Sequence, residues 1–149
     1  MGPDYAQIFE SLRDHVMNRL LEVRGSIDHA YTKIPEPIIR EHFDLVLDKM
    51  YTFLATQDSS VYARFIRRYM AMRVGEGFTH ENLIHSAVAI GDVVAQVARE
   101  RLPESPRRDT FVRTVMRMNF VIARMMVAVV AEDLAERTSQ LDLVTRGLA

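Results

Sequence analysis

Residues 75 to 85 read GEGFTHENLIH, and the reading of this stretch decides the fold. Two histidines with a glutamate between them resemble a zinc-binding helix. The same letters also describe one helix ending and another starting. A two-histidine zinc helix needs its histidines four apart, because about 100° per residue then leaves them about 40° apart on one face. His80 and His85 are five apart. That places them about 140° apart, facing different sides. As helix punctuation the residues fit better. Thr79 is suited to an N-cap, with Asn82 at N3, and Phe78 and Leu83 hold the two positions of a hydrophobic staple. Glu81 falls in the first turn, where negative charge complements the helix dipole. Glu81 and His85 are spaced to pair on the surface. Asp92, Gln96 and Arg99 continue that line as a polar stripe, which turns His85 toward solvent.

Outward from this junction, glycine and proline fall between periodic apolar segments, the pattern of an all-α chain. A first helix is expected from about Asp4 to Arg24, with Ile8, Leu12, Val16, Leu20 and Val23 on one face. Gly25 is expected to interrupt it, and a short turn or helix leads to Tyr31. Pro35 and Pro37 open a second helix, where the missing amides have no partners to lose. Its stripe is Ile39, Phe43, Val46, Leu47, Met50 and Leu54. Asp58 or Ser59 caps a third helix, predicted to bury Val61, Phe65, Ile66, Tyr69 and Met72 and to end at Gly75. The fourth runs from His80 to Arg101, closed by Leu102-Pro103. Ser105 and Pro106 start a fifth that reaches the C-terminus, roughly 40 residues against the usual 8 to 20.

Composition sets further bounds. The 149 residues are 48% apolar and 26% charged, with a formal net charge of -1. One soluble domain is expected, without the bulk charge that draws a protein to nucleic acid or to an acidic membrane. No RNA-stacking motif or DNA-reading helix is visible. The absence of cysteine excludes disulfides and thiolate metal sites and fits a reducing cytoplasm. The opening MGPDYAQIFESL lacks the basic start and apolar run of a secretory signal. The most apolar stretch, Val115 to Ala131, carries Arg117, Asn119 and Arg124 and is short for a bilayer span, so it reads as a buried or dimer-forming helix. There is no phosphate-binding glycine loop, no nucleophile elbow and no acid, base and nucleophile set, so no enzymatic activity is expected.

His42 stands beside the stripe of helix two and reads as a half-buried histidine at the edge of the core. The alternative makes His42, or less suitably His85, the axial ligand of a haem, which needs an apolar pocket and an inward-facing imidazole. Met116, Met118, Met125 and Met126 are expected to fill gaps in the core. Arg64, Arg67, Arg68 and Arg73 make helix three locally basic, while Glu41, Asp44 and Asp48 make helix two acidic. Solvated faces or interhelical pairs account for both.

The last helix carries a heptad. Phe120, Val127, Leu134, Leu141 and Leu148 occupy position a, and Met116, Ala123, Val130, Arg137 and Val144 position d. Before Glu132 the helix is apolar nearly all round. Beyond it the apolar surface narrows to the a/d seam, as in a helix that leaves a globular body to pair with a twin. The expected division is a helical domain over residues 1–131 and a coiled-coil extension over 132–149.

The middle of the chain, IPEPIIREHFDLVLDKMYTFLATQDSSVYARFIRRYMAMRVGEGFTHENLIHSAVAIGDVV, resembles the N-terminal sensor domains of RsbR-type stressosome proteins, relatives of which precede histidine kinases. The shared pieces are the Asp58-Ser59 turn, the helix end from Arg73 to Phe78 and the capped start from Thr79 to Leu83. They cover about half to two-thirds of the chain and are structural in kind. The resemblance implies a globin-like helical bundle without haem, a homodimer, and a last helix directed toward an output domain or signalling partner. No such output module lies within the 149 residues.

Overall fold

The computed structural model describes residues 4 to 147, and all regular structure among them is helical. Helix α1, Tyr5–Ile27, starts where the Asp4 carboxylate accepts the Gln7 N–H at 3.0 Å. Ile8, Leu12, Val16 and Leu20 are buried along it as their spacing predicts, and Phe9 joins them. The helix runs through Gly25, contrary to the expected break. A Cβ at this position would lie 3.0 Å from Thr32 Cγ2, so the glycine admits a neighbouring segment instead of ending the helix. That segment is the 3-10 turn His29–Lys33, opened by the Asp28 carboxylate accepting the Ala30 N–H at 2.9 Å.

Helix α2, Glu36–Thr56, buries its whole expected stripe from Ile39 to Leu54. Asp58 then caps α3, Ser59–Gly75, through the Ser60 N–H at 2.9 Å. The buried face of α3 differs from the one expected. Phe65 and Ile66 are inside, but Tyr62, Met70 and Arg73 accompany them, while Val61 and Tyr69 are half-buried and Met72 is exposed. The Tyr62 ring meets Phe53 and Phe65 edge-on, at centroid distances of 5.9 and 5.7 Å. A large aromatic fixes the rotation of α3 because it removes most apolar area from water. Met72, about 200° around the helix from Met70, is then turned outward.

The junction at GEGF is a Schellman motif. The Phe78 N–H donates to the Arg73 carbonyl and the Gly77 N–H to the Val74 carbonyl, both at 3.0 Å, with Gly77 at φ +101°. Thr79 accepts the Asn82 N–H at 3.1 Å to cap α4, His80–Arg101. Ser105 accepts the Arg108 N–H at 3.1 Å to cap α5, Pro106–Thr145, a helix of 40 residues.

Helix α1 packs against α2 and α4, α4 against α5, and α3 closes the body by meeting α2, α4 and α5. Phe9, Phe43 and Phe111 are fully buried at its centre. At the α4–α5 crossing Asn119 lies directly over Gly91, where a Cβ would sit 2.4 Å from the Asn119 side chain, and the Asn119 amide donates to the Val88 carbonyl at 3.0 Å. Ion pairs tie the helices at the surface. Arg13 joins Asp44 and Asp48, Arg19 joins Glu100, and Arg67 joins Glu132. The acidic stripe of α2 thus faces α1, and the basic α3 reaches α5. Exposed pairs of this kind are screened by water and add little to stability.

Candidate functional site

Helix α5 presents two faces with different fates. Phe111, Val112, Val115, Met118, Ile122 and Met126 point into the body. On the other side the a-position residues Phe120, Val127, Leu134 and Leu141 are 64%, 55%, 57% and 66% exposed. Met116 and Val144 are exposed as well, and Ala123 and Val130 are half-buried beside them. Arg137 is in solvent, and Leu148 lies outside the described residues. Of the four methionines expected in the core, Met118 and Met126 are buried, Met125 is half-buried and Met116 belongs to the exposed seam. From Leu134 onward every described residue is exposed, so the helix has left the body. Residues 134–145 extend about 18 Å at 1.5 Å per residue.

The neck of this projection is charged. Arg67 of α3 grips Glu132 with both terminal nitrogens, Nη2 to Oε1 at 2.9 Å. This hydrogen bonding holds the Glu132 carboxyl below the usual carboxylate range. Asp133 is half-buried, 3.3 Å from Arg137 and 4.0 Å from His80 Nε2. His80 therefore turns toward α5, while His85 remains exposed with Glu81, Asp92, Gln96 and Arg99. Among the described residues no ion pair joins Glu81 to His85.

Inside the body, α2, α3, α4, α5 and the 3-10 turn surround a cavity of about 30 Å³. Its walls are apolar apart from Tyr31, Tyr62, Tyr69 and Ser86. Neither His42 nor His85 lines it. Ligand pockets typically run to about 300 Å³ or more, and a haem needs its axial imidazole inside the pocket. The residues present do not fit that group. No set of three metal-ligating side chains occurs among the described residues.

His42 lies half-buried on α2, and its Nδ1 is buried without a hydrogen-bond partner. Burial, then the charge of Arg73, lower its pKa from the ordinary 6.5. Arg73 was expected only as part of a basic face. It is instead buried, stacked 4.9 Å over the Tyr69 ring and donating to Glu76 at 2.7 Å, with Nε unpartnered. Nothing in its spacing along α3 marked it as buried.

Helix α5 is long and apolar enough to cross a membrane by length and composition, with a window of mean hydropathy 1.6 that is 28% buried within the body. Its inner face is the wall against which α4 packs. Fold and geometry together define an all-α body with one projecting helix and an apolar seam along that helix. No protein-family model matches the sequence, and no curated protein or solved structure matches it either.

Proposed function

We propose that this chain is a non-catalytic, homodimeric sensory domain of bacterial signal transduction, cytoplasmic and akin to the RsbR-type globin-like sensors. In this reading α5 pairs with its twin and carries a change in the body to an output partner. The observation that carries it is the exposed seam from Met116 to Val144. Apolar residues repeated at heptad spacing are self-complementary, so a second copy of the same helix is the occupant their pattern fits best. The seam starts alongside the body and continues past it. One rigid element therefore touches both the core and the partner, which is the arrangement a relay needs. A signal must bind one packing of α5 more tightly than another to shift their balance.

The lack of cysteine gives a direct test. Leu134→Cys and Leu141→Cys put single thiols on the seam, and Ser139→Cys puts one on the opposite side. Mild oxidation is expected to link the two seam variants into disulfide dimers and to leave Ser139→Cys monomeric on a non-reducing gel. Equal linking at all three positions, or at none, contradicts a parallel paired α5.

A further inference from the structure

The two halves of the exposed α5 face differ in charge. On the outer half the charges pair along the helix itself, Asp133 with Arg137 and Asp142 with Arg146. The inner half, residues 113–127, lies alongside the body and carries cations only. Arg113, Arg117 and Arg124 are exposed there and interleave with the exposed Met116, Phe120 and Val127. At about 100° per residue the arginines lie on average about 60° around the helix from the apolar residues, so one line runs beside the other. Arg124 stands 5.8 Å over the Phe120 ring, and Arg99 of α4 reaches the Met116 sulfur at 3.8 Å. Among the described residues none of these four arginines joins an ion pair, whereas Arg19, Arg67 and Arg108 each have a carboxylate. Continuing the heptad back from Phe120 puts Arg113 at position a. In a twin paired in register it would meet its own copy, a like-charge contact that opposes pairing. Self-pairing suits the outer half and leaves the charge of the inner half unmatched.

We propose that the inner half docks an acidic amphipathic helix of a partner protein. Its apolar residues would cover Met116, Phe120 and Val127, and its carboxylates would meet the arginines. Residues 113–127 span about 21 Å at 1.5 Å per residue, so a partner helix of about four turns covers the line. Guanidinium groups present paired donors that match a carboxylate. The apolar contact supplies most of the affinity, and the charges select the partner. The whole chain carries 19 basic and 20 acidic residues. A broad anionic surface such as a lipid sheet therefore meets as much repulsion as attraction, while a single helix meets only the basic line. Nucleic acid draws its affinity from many phosphate contacts, more than four guanidiniums along one line offer. In the relay such a helix belongs to the output partner. That use rests on the dimeric reading, whereas the docking needs only one protomer.

The probes are fluorescein-labelled peptides of about three heptads, with leucine at a and d and glutamate at e and g, or with lysine in place of each glutamate. Binding is read by fluorescence anisotropy. The glutamate peptide is expected to bind with a Kd of roughly 10–100 μM, weakening about tenfold between roughly 0.05 and 0.5 M salt, and the lysine peptide not to bind. Arg117→Glu/Arg124→Glu is expected to reverse that order. Phe120→Ser is expected to weaken the glutamate peptide about tenfold. Arg64→Glu/Arg68→Glu, on the basic face of α3, is expected to leave its Kd unchanged. All the substituted side chains are exposed, and circular dichroism checks that each variant stays helical. No binding of the glutamate peptide, equal loss in the α3 variant, or no loss in Phe120→Ser overturns the site. So does tighter binding, through the same arginines, of phosphatidylcholine vesicles containing phosphatidylserine or of a DNA duplex. Repeating the titration on the Leu134→Asp/Leu141→Asp double variant separates docking from pairing. Binding retained there supports a site on one protomer, and binding lost there overturns it. A wild-type chain that is itself monomeric removes the relay and leaves the site standing.

Discussion

At Gly91 a side chain and a helix backbone meet with no room to spare. Asn119 fills the place a Cβ would occupy, and its Oδ1 is buried without a partner. Gly91→Ala therefore forces α4 and α5 apart or drives Asn119 from its rotamer. Overpacking of this kind costs about 1–3 kcal/mol. Urea denaturation is expected to show that loss, and Asn119→Ala is expected to recover most of it in the double variant, because the three atoms nearest the added Cβ all belong to Asn119. His42 gives a second residue-scale prediction. Its folded pKa lies below the ordinary 6.5, so between the two values the unfolded chain takes up a proton that the folded chain refuses. The His42 contribution is present above about pH 6.5 and is lost as pH falls through that value toward the folded pKa. Denaturation midpoints are expected to fall over this window in the wild type and less steeply in His42→Gln. Identical slopes would remove His42 as a source of the pH dependence.

At the scale of elements, the α3–α4 junction separates two glycines that look equivalent in sequence. Gly77 holds φ +101° and Gly75 is helical, with open space around it. Gly77→Ala is expected to lower stability by about 1–2 kcal/mol, the cost of a left-handed backbone with a Cβ. Gly75→Ala is expected to raise it by about 0.4–1 kcal/mol by restricting the unfolded chain. Thermal melts of the two variants check this contrast. The same junction shows what a sequence can reveal. Caps act within three or four residues, so Asp58, Thr79, Ser105 and the ends of α4 were legible from local chemistry alone. The run of α1 through Gly25 was not, because the reason is Thr32 in a separate element. The rotation of α3 was hidden likewise, since Tyr62 is positioned by Phe53 of α2. The heptad of α5 could be counted, but its exposure is a property of the assembled body. The cavity and buried Arg73 depend on four helices meeting, and no spacing in one of them announces that.

For the whole molecule, the exposed seam is the feature a lone protomer leaves unexplained. Isolated exposed apolar residues are ordinary, but a continuous line of them along one helix marks an interaction site. Its inner half lies over the same turns of α5 that wall the cavity, and its outer half stands clear beyond Asp133. Arg67 pairs with Glu132, and His80 lies beside Asp133, where the helix leaves the body. The proposed relay requires pairing through α5, and in that reading the outer seam carries the pairing. Sedimentation equilibrium at low micromolar concentration, on the full chain and on a form ending at Ala131, tests this most directly. A dimer is expected for the full chain and a substantially dissociated, still helical protein for the shortened one. A shortened protein that remains fully dimeric would contradict it.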